Sequence, residues 1–300
     1  MIVRASAQPL PELGVIGWPL HRTFSPPMFA AALAEAGLGW RYESIPVAPD
    51  DLPAFMSRAC QEMRGFNVTI PHKAAVAAAC TLRDDVARSS GAVNTVVCAL
   101  RNGKKTLEGC NTDGPGLLKA LMVRGGFDPR GSNALILGSG GAAAGCAAAL
   151  AGRKAARITV ANRTLRRAAD LVERLEALYP ATEWFAVPVA VLPAVSPGHR
   201  TITGADLVIN CIPEEPASGL GGLFESMSGE HPVFCDMSYS GAPSRLMMAA
   251  RDAACRLVPG LEVLLWQGVY GYEILTGSRA PEETMRDALT AVAGKWWLNC

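Results

Sequence analysis

The residues best suited to moving a proton in this 300-residue chain lie within its first 113 positions, where Lys73 and Asp113 stand among neutral hydrogen-bonding groups. Thr23 and Ser25, Asn67 with Thr69 and Lys73, Asn94 with Thr95, and Asn111 with Asp113 fall at the ends of predicted strands or in the loops after them. Asn, Thr and Ser offer donors and acceptors without fixed charge, which suits a polyhydroxylated small molecule with or without a carboxylate. A lysine beside a carboxylate can give a proton to an alcohol or carbonyl oxygen, or take one from it, while the bonding at carbon changes. Acid and base groups placed in this way contribute roughly a hundred- to ten-thousand-fold in rate. Arginine cannot do this, because its guanidinium stays protonated. A lysine here also stands out in a chain of 22 Arg and 6 Lys. Taken singly, each group has a plainer reading: Lys73 a surface residue at a helix start, Asp113 an N-cap, Asn94 a turn residue. Their joint placement argues for a site.

A second signal lies at Gly138-Ser139-Gly140-Gly141-Ala142-Ala143, between the apolar run Ala134 to Leu137 and an alanine-rich helix. The spacing fits G-x-G-x-x-G/A, the turn of a dinucleotide-binding strand-turn-helix, with the pyrophosphate on the helix N-terminus. In such units an acidic residue about 20 positions on accepts from the ribose of NAD, whereas a basic residue serves the 2'-phosphate of NADP. No acidic residue occurs between Gly138 and Asp170, and the next strand, around Ile158 to Val160, ends in Asn162-Arg163-Thr164. Arg167 follows Arg163 by four positions, on the same helix face. Two guanidiniums and a hydroxyl suit charge-assisted bonds to a phosphate, so NADP is the expected cofactor. A merely solvated basic face fits less well, because basic charge opposes the dipole at a helix start.

The formal charge is +1, with 28 basic against 27 acidic residues, which gives no sign of nucleic-acid or membrane-surface binding. A small-molecule partner is expected, with the chain acting as a monomer or homodimer. Nine scattered cysteines form neither a disulfide framework nor a C-x-x-C knuckle, and the four histidines lack paired ligand spacing. No metal site is expected. The start of the chain carries no apolar leader, and its longest run of small residues is too short to span a bilayer. We therefore expect no membrane contact and a cytoplasmic location.

The elements that must position these groups alternate between strand and helix patterns. Strands are expected at Leu13 to Gly17, Trp40 to Val47 and Gly65 to Pro71, and a hairpin at Val93 to Leu100 and Thr106 to Thr112 around Asn102-Gly103. Helices are expected at Met28 to Ala36, from Asp50 to about Glu62, from His72 to Cys80, and at Leu117 to Arg124. Trp184 to Val187, Asp206 to Ile212, Val233 to Tyr239 and Arg256 to Pro259 continue the strand series, with helices from Leu264 and Pro281 returning to the first part. This is an α/β chain of two domains. An N-terminal α/β substrate domain spans 1–115 and is completed by C-terminal helices from about 261–300. A Rossmann-type NADP-binding domain spans 116–260.

Read together, Gly65-Phe66-Asn67-Val68-Thr69-Ile70-Pro71-His72-Lys73, Gly91-Ala92-Val93-Asn94-Thr95, Asn111-Thr112-Asp113-Gly114, the Gly138 turn and Asn162-Arg163-Thr164 resemble the shikimate dehydrogenase family. The resemblance extends to Asp236-Met237-Ser238-Tyr239 and Gly260-Leu261-Glu262-Val263-Leu264-Leu265-Trp266-Gln267. It implies NADP-linked reduction of 3-dehydroshikimate to shikimate, in a cleft between the two domains. Carried over by position, Lys73 and Asp113 correspond to the catalytic pair, Thr23 and Ser25 to groups on the substrate carboxylate, and Asn67, Thr69, Asn94 and Gln267 to groups on the ring hydroxyls. Tyr239 corresponds to a further substrate-side residue, although Ser240 and Gly241 replace the usual asparagine and proline. Gly138, Ser139, Gly140, Gly141, Ala142, Asn162, Arg163, Thr164 and Arg167 correspond to the cofactor site.

The first loop departs most from the family pattern: Trp18, Arg22, Thr23 and Phe24 stand where Asn, His, Ser and a variable residue are usual. A methyl-sized change in a pocket is worth about 1–3 kcal/mol in discrimination, which leaves quinate or a related cyclic hydroxy acid as an alternative substrate. A non-catalytic NADP-binding paralogue is a further alternative, against which both Lys73 and Asp113 are retained. A methylene-tetrahydrofolate type of dehydrogenase would need a longer aromatic cleft than Trp18 and Phe24 supply.

Overall fold

A computed structural model describes residues 9–20, 23–194, 204–212, 220, 222–224, 232–239 and 242–299. His21 and Arg22 of the first loop, and Ser240 and Gly241 after Tyr239, lie outside the described residues. The first part of the chain forms a six-stranded sheet from β1 (Leu13–Gly17), β2 (Tyr42–Pro46), β3 (Gly65–Val68), β4 (Thr81–Leu82), β5 (Thr95–Arg101) and β6 (Lys104–Cys110), in the order β2-β1-β3-β5-β6-β4. Its helices are α1 (Ser25–Glu35), α2 (Leu52–Glu62), α3 (Lys73–Ala79), α4 (Asp85–Ser90) and α5 (Asp113–Val123).

Strand direction explains why the polar groups gather. β1 pairs in parallel with β2 and β3, whereas β5 runs antiparallel to both β3 and β6. The edge at which β1 and β3 end is therefore the edge at which β5 begins and β6 ends. Thr23 and Ser25, Thr69 and Lys73, Asn94, and Asn111 with Asp113 all lie along it. Asn94 thus precedes its strand, a correction to the expectation that each group sits at a strand end or in the loop after it. The hairpin turn is two residues long, Asn102 and Gly103, both at positive φ (50° and 78°) as a twist-matched turn requires.

The second sheet comprises β7 (Asn133–Leu137), β8 (Arg157–Asn162), β9 (Glu183–Pro188), β10 (Leu207–Asn210), β11 (Val233–Asp236) and β12 (Arg256–Pro259), ordered β12-β11-β10-β7-β8-β9. Every pairing in it is parallel. Order reverses at β7, so the ligand-binding crevice of such a sheet opens where β7 meets β10. Leu135, Ile136 and Leu137 are fully buried, each side chain contributing about 1.5–3 kcal/mol by leaving water. The helices are α6 (Gly141–Gly152), α7 (Leu165–Leu178) and α8 (Arg245–Asp252). α6 is apolar all round, as a helix with no wet face must be. Its Ala and Gly residues let α4 and α5 of the first part lie against it.

Two further helices, α9 (Gly260–Thr276) and α10 (Glu282–Ala293), leave β12 and return: α9 packs on α5, α1, β3 and β5, and α10 on α1. Glu262, buried near the start of α9, accepts from Trp266 Nε1 at 2.9 Å and from Arg286 of α10 at 3.0 and 3.2 Å. This ties α10 to α9 and fixes the helix that carries Gln267. No helix among the described residues is long and apolar enough to cross a membrane.

Some local features differ from the sequence expectation. β4, α4 and α8 were unexpected, α1 starts at Ser25 rather than Met28, and α5 starts at Asp113 rather than Leu117. Asn111 explains the early start of α5, since its Oδ1 accepts from the amides of Asp113 (3.0 Å) and Gly114 (3.4 Å). Pro115, close behind, is tolerated in a first helical turn.

Candidate active site

Lys73 opens α3 and Asp113 opens α5, and their side chains meet with Nζ 2.6 Å from Oδ2. The two side chains are 14% and 8% exposed. A pair so enclosed is held by what surrounds it, because desolvation of both charges offsets much of their attraction. Burial alone would push the Lys73 ammonium down. The charge and hydrogen bond of Asp113 outweigh that, with Tyr239 and Cys146 adding, and the net shift is upward. Lys73 is therefore a charged donor at neutral pH, with a carboxylate fixing where it points.

The other oxygen of Asp113 is held by Asn94. Asn94 Nδ2 donates to Asp113 Oδ1 at 2.8 Å and to Thr112 Oγ1 at 2.9 Å, while Oδ1 accepts from the Thr112 amide at 2.8 Å. A longer contact of 3.4 Å reaches Gln267 Oε1, and Gln267 Nε2 donates back to the Leu264 carbonyl of its own helix. Asn67, on β3, is likewise engaged: Nδ2 donates to the Asn94 carbonyl (3.2 Å) and Thr95 Oγ1 (3.0 Å), and Oδ1 accepts from the Tyr42 hydroxyl at 2.7 Å. A continuous buried polar chain therefore runs from Tyr42 through Asn67, Thr95 and Asn94 to Asp113 and Lys73. Thr112 and Tyr42 belong to this chain and were not among the expected site residues. Thr112 adjoins expected residues in sequence, whereas Tyr42 reads as an ordinary aromatic in a strand.

Ser25 is buried in the first turn of α1, and half-buried Thr23 accepts from its amide at 3.3 Å. Half-buried Thr69 follows β3, its amide bonded to the Ile16 carbonyl. Among the described residues, no hydrogen bond joins Thr23 or Thr69 to the Lys73–Asp113 pair, so their hydroxyls share the edge without sharing the network. Tyr239 comes from the other side, in the loop after β11. That loop is held by Asp236, which accepts from Asn210, Ser238 and Ser244. Enclosure raises the Tyr239 phenol from its ordinary value, with Lys73 opposing and Asp113 reinforcing. Its ring, 38% exposed, meets Phe24 edge-on with centroids 6.0 Å apart. The two parts of the chain thus face each other across the pair.

The glycine turn completes this meeting. Gly138 has φ +105°, a conformation open to glycine and strained for other residues. Its amide bonds the Ala161 carbonyl at 2.7 Å. Gly140 caps α6 without a side chain, so the first amides of the helix, those of Gly141 and Ala142 among them, receive no side-chain cap. A methyl on Gly141 would lie 3.2 Å from Lys73 Cβ, so the turn abuts the lysine. Past β8, Asn162 Nδ2 donates to the Thr164 carbonyl at 3.0 Å, and the Thr164 side chain makes no capping bond to α7. Arg163 and Arg167 are exposed, and neither joins an ion pair among the described residues; Arg166 pairs with Asp170 at 2.7 Å. An uncapped helix start, a glycine that keeps the turn tight and two unneutralised guanidiniums fit an anionic dinucleotide with an extra phosphate.

Comparison with known proteins agrees with this geometry. Three family models match the chain: the shikimate dehydrogenase substrate binding domain over residues 15–96, shikimate / quinate 5-dehydrogenase over 123–187, and the shikimate 5'-dehydrogenase C-terminal domain over 260–290. A shikimate dehydrogenase (NADP(+)) of Methanopyrus kandleri is 36% identical over 287 residues, covering 92% of this chain and 94% of its own. The chain belongs to the shikimate dehydrogenase family. Among solved structures, the shikimate 5-dehydrogenase of Thermus thermophilus in complex with NADP(H) and shikimate aligns at TM-score 0.76 and 30% identity, covering 93% of this chain and 98% of that one. A 5-ketofructose reductase of Gluconobacter sp. strain CHM43 aligns equally well, at TM-score 0.76 and 31% identity over 93% and 98% of the two chains. Structures similar to this chain thus include proteins named for shikimate and for 5-ketofructose.

Proposed function

We propose that the protein is an NADP-dependent shikimate dehydrogenase that reversibly reduces 3-dehydroshikimate to shikimate. The observation that carries this reading is the Lys73–Asp113 pair pressed against the glycine turn, which sets a proton donor beside the place of a nicotinamide cofactor. NADPH, when bound, supplies the hydride. Lys73 gives its proton to the substrate carbonyl oxygen in reduction and recovers it in oxidation. Asp113 keeps the ammonium charged and aimed, and Asn94 fixes the carboxylate. Thr23 and Ser25 hold the substrate carboxylate, and Asn67, Thr69, Asn94 and Gln267 the ring hydroxyls, with Tyr239 closing the far side. The amides behind Gly138, Ser139, Gly140, Gly141 and Ala142 take the pyrophosphate. Asn162, Arg163, Thr164 and Arg167 take the adenosine end with its 2'-phosphate.

In this reading residues 1–115 and about 261–300 form the substrate domain and 116–260 the NADP domain. Each chain carries a whole site, which suits a monomer or a homodimer. Free thiols at Cys60, Cys80, Cys98, Cys110, Cys146, Cys211, Cys235 and Cys255 suit the reducing cytoplasm.

The test is the initial rate of cofactor reduction with shikimate and with quinate, each paired with NADP and with NAD. Dominant activity with shikimate and NADP is expected. A preference for quinate would mean that Thr23 and Phe24, the latter seated under Tyr239, have redirected the pocket. Silence with both acids despite tight NADP binding would overturn the reading in favour of another ring acid or a non-catalytic NADP-binding role.

A further inference from the structure

Tyr42 lies on the edge strand β2, away from the Lys73–Asp113 pair, yet its hydroxyl is the first link of the polar chain that ends there. Its ring is buried and stacked on Phe29 with centroids 4.2 Å apart and planes at 23°, so the phenol has little freedom. The hydroxyl donates to Asn67 Oδ1 at 2.7 Å, and the Ser25 side chain lies within hydrogen-bond reach of the same phenol. A side-chain amide can turn over at little steric cost, and only its hydrogen bonds decide which end faces which way. Here both Nδ2 hydrogens are committed inward, to the Asn94 carbonyl and Thr95 Oγ1, and the phenol occupies one lone pair of Oδ1. What Asn67 has left to offer a ligand is acceptor capacity alone.

We infer that Tyr42 is a positioning residue that acts through Asn67: it locks the amide so that Oδ1 is held out to a ring hydroxyl. Among the described residues no hydrogen bond joins Tyr42 to Lys73 or Asp113; its hydroxyl is bonded to Asn67. Its loss should weaken substrate binding and leave the proton step alone. The inference rests on the proposed function, because Asn67 and Ser25 are assigned to the substrate there.

The experiment is a double-mutant cycle of Tyr42→Phe, Asn67→Ala and both together, with KM and kcat measured for shikimate and NADP beside the unaltered protein. Phe keeps the stack on Phe29 and removes only the hydroxyl. Tyr42→Phe is expected to raise the KM for shikimate about five- to tenfold, as loss of one buried hydrogen bond does, with kcat and the KM for NADP little changed. Because Tyr42 acts through Asn67, the double variant should match Asn67→Ala alone. Additive losses, an unchanged shikimate KM or a loss confined to kcat would each overturn the inference. No turnover by the unaltered protein would instead overturn the proposed function. A second measurement needs no variant: the Asn67 side-chain amide protons should exchange slowly in the unaltered protein, both before and after shikimate is added. Rapid exchange without ligand would overturn the lock whether or not Tyr42→Phe folds.

Discussion

The two halves of the site are prepared in opposite ways. On the substrate side, Asn67, Asn94, Thr95, Thr112 and Asp113 are buried and bonded to one another. On the nucleotide side, Arg163, Thr164 and Arg167 are exposed, and the two arginines join no ion pair among the described residues. The difference follows from what each half must recognise. A neutral hydroxyl is selected only by groups already aimed at it, since an amide free to turn discriminates nothing and loses entropy on binding. A phosphate carries its own charge and draws flexible guanidiniums to it, so readiness there requires only that the charge be left unneutralised. In the proposed assignment the substrate half is stiff by construction and the cofactor half would be completed by its ligand.

Substitutions that strike the stiff half should therefore cost turnover, and those that strike the open half should cost cofactor affinity. Lys73→Ala carries the largest expected effect. It removes the proposed proton donor, so kcat should fall about a hundred- to ten-thousand-fold. NADP affinity should stay largely intact, as read by titration of protein fluorescence. A variant that keeps its turnover would remove Lys73 from the proton step and break the comparison at its strongest point.

Next in size is Arg163→Ala with Arg167→Ala. Each charge-assisted bond is worth about 1.5–3 kcal/mol, so the pair should raise the KM for NADP on the order of a hundredfold. The KM for NAD should move far less, and kcat at saturating cofactor should hold. Because these guanidiniums are in water, added salt should also raise the KM for NADP more than the KM for shikimate. Equal effects on NADP and NAD would mean that the phosphate is held elsewhere.

How much of this was legible in the sequence follows the same division. The proposal for the cofactor half comes directly from residue type and spacing, a glycine turn and a strand ending in Asn162-Arg163-Thr164. The substrate half could be read only as a set of polar residues. Asn67 and Asn94 looked like free donors and acceptors, and the structure finds much of their capacity spent, Asn67 on Asn94 and Thr95, Asn94 on Thr112 and Asp113. That fact belongs to the pairing of β5 with β3 and β6, remote in sequence. Asn94, expected within a strand from Val93, lies just before β5, and it joins the shared edge because an antiparallel strand brings its start there. β4 and α4 went unread because Thr81 to Ser90 is too short and too polar to show a period. The signal available there was the cap pair, Asp84 accepting from the Ala87 amide at 2.6 Å and Gly91 at φ +63°. Tyr42 could not have been found at all, since nothing in Tyr42-Glu43-Ser44-Ile45-Pro46 distinguishes a structural phenol from one aimed at Asn67.

The smallest expected effect is the sharpest on how the open half is organised. Three arginines crowd the start of α7, and composition alone does not say which of them a phosphate would use. Arg163 precedes the N-cap Thr164, so it is not on a common helix face with Arg167 as the four-residue spacing suggested, and neither is ion-paired among the described residues, whereas Arg166, 81% exposed, is paired with Asp170 one turn on. An exposed pair of this kind is worth only about 0.3–0.5 kcal/mol, and its guanidinium is already partly neutralised. Arg166→Ala should therefore change the KM for NADP by less than about twofold, within the range of a lost surface charge, in the same assay in which the double variant fails. If Arg166→Ala instead raised that KM as steeply as the other two arginines together, the phosphate would be drawn to a general basic field. The position-by-position assignment of Arg163 and Arg167 would then give way to a count of charges.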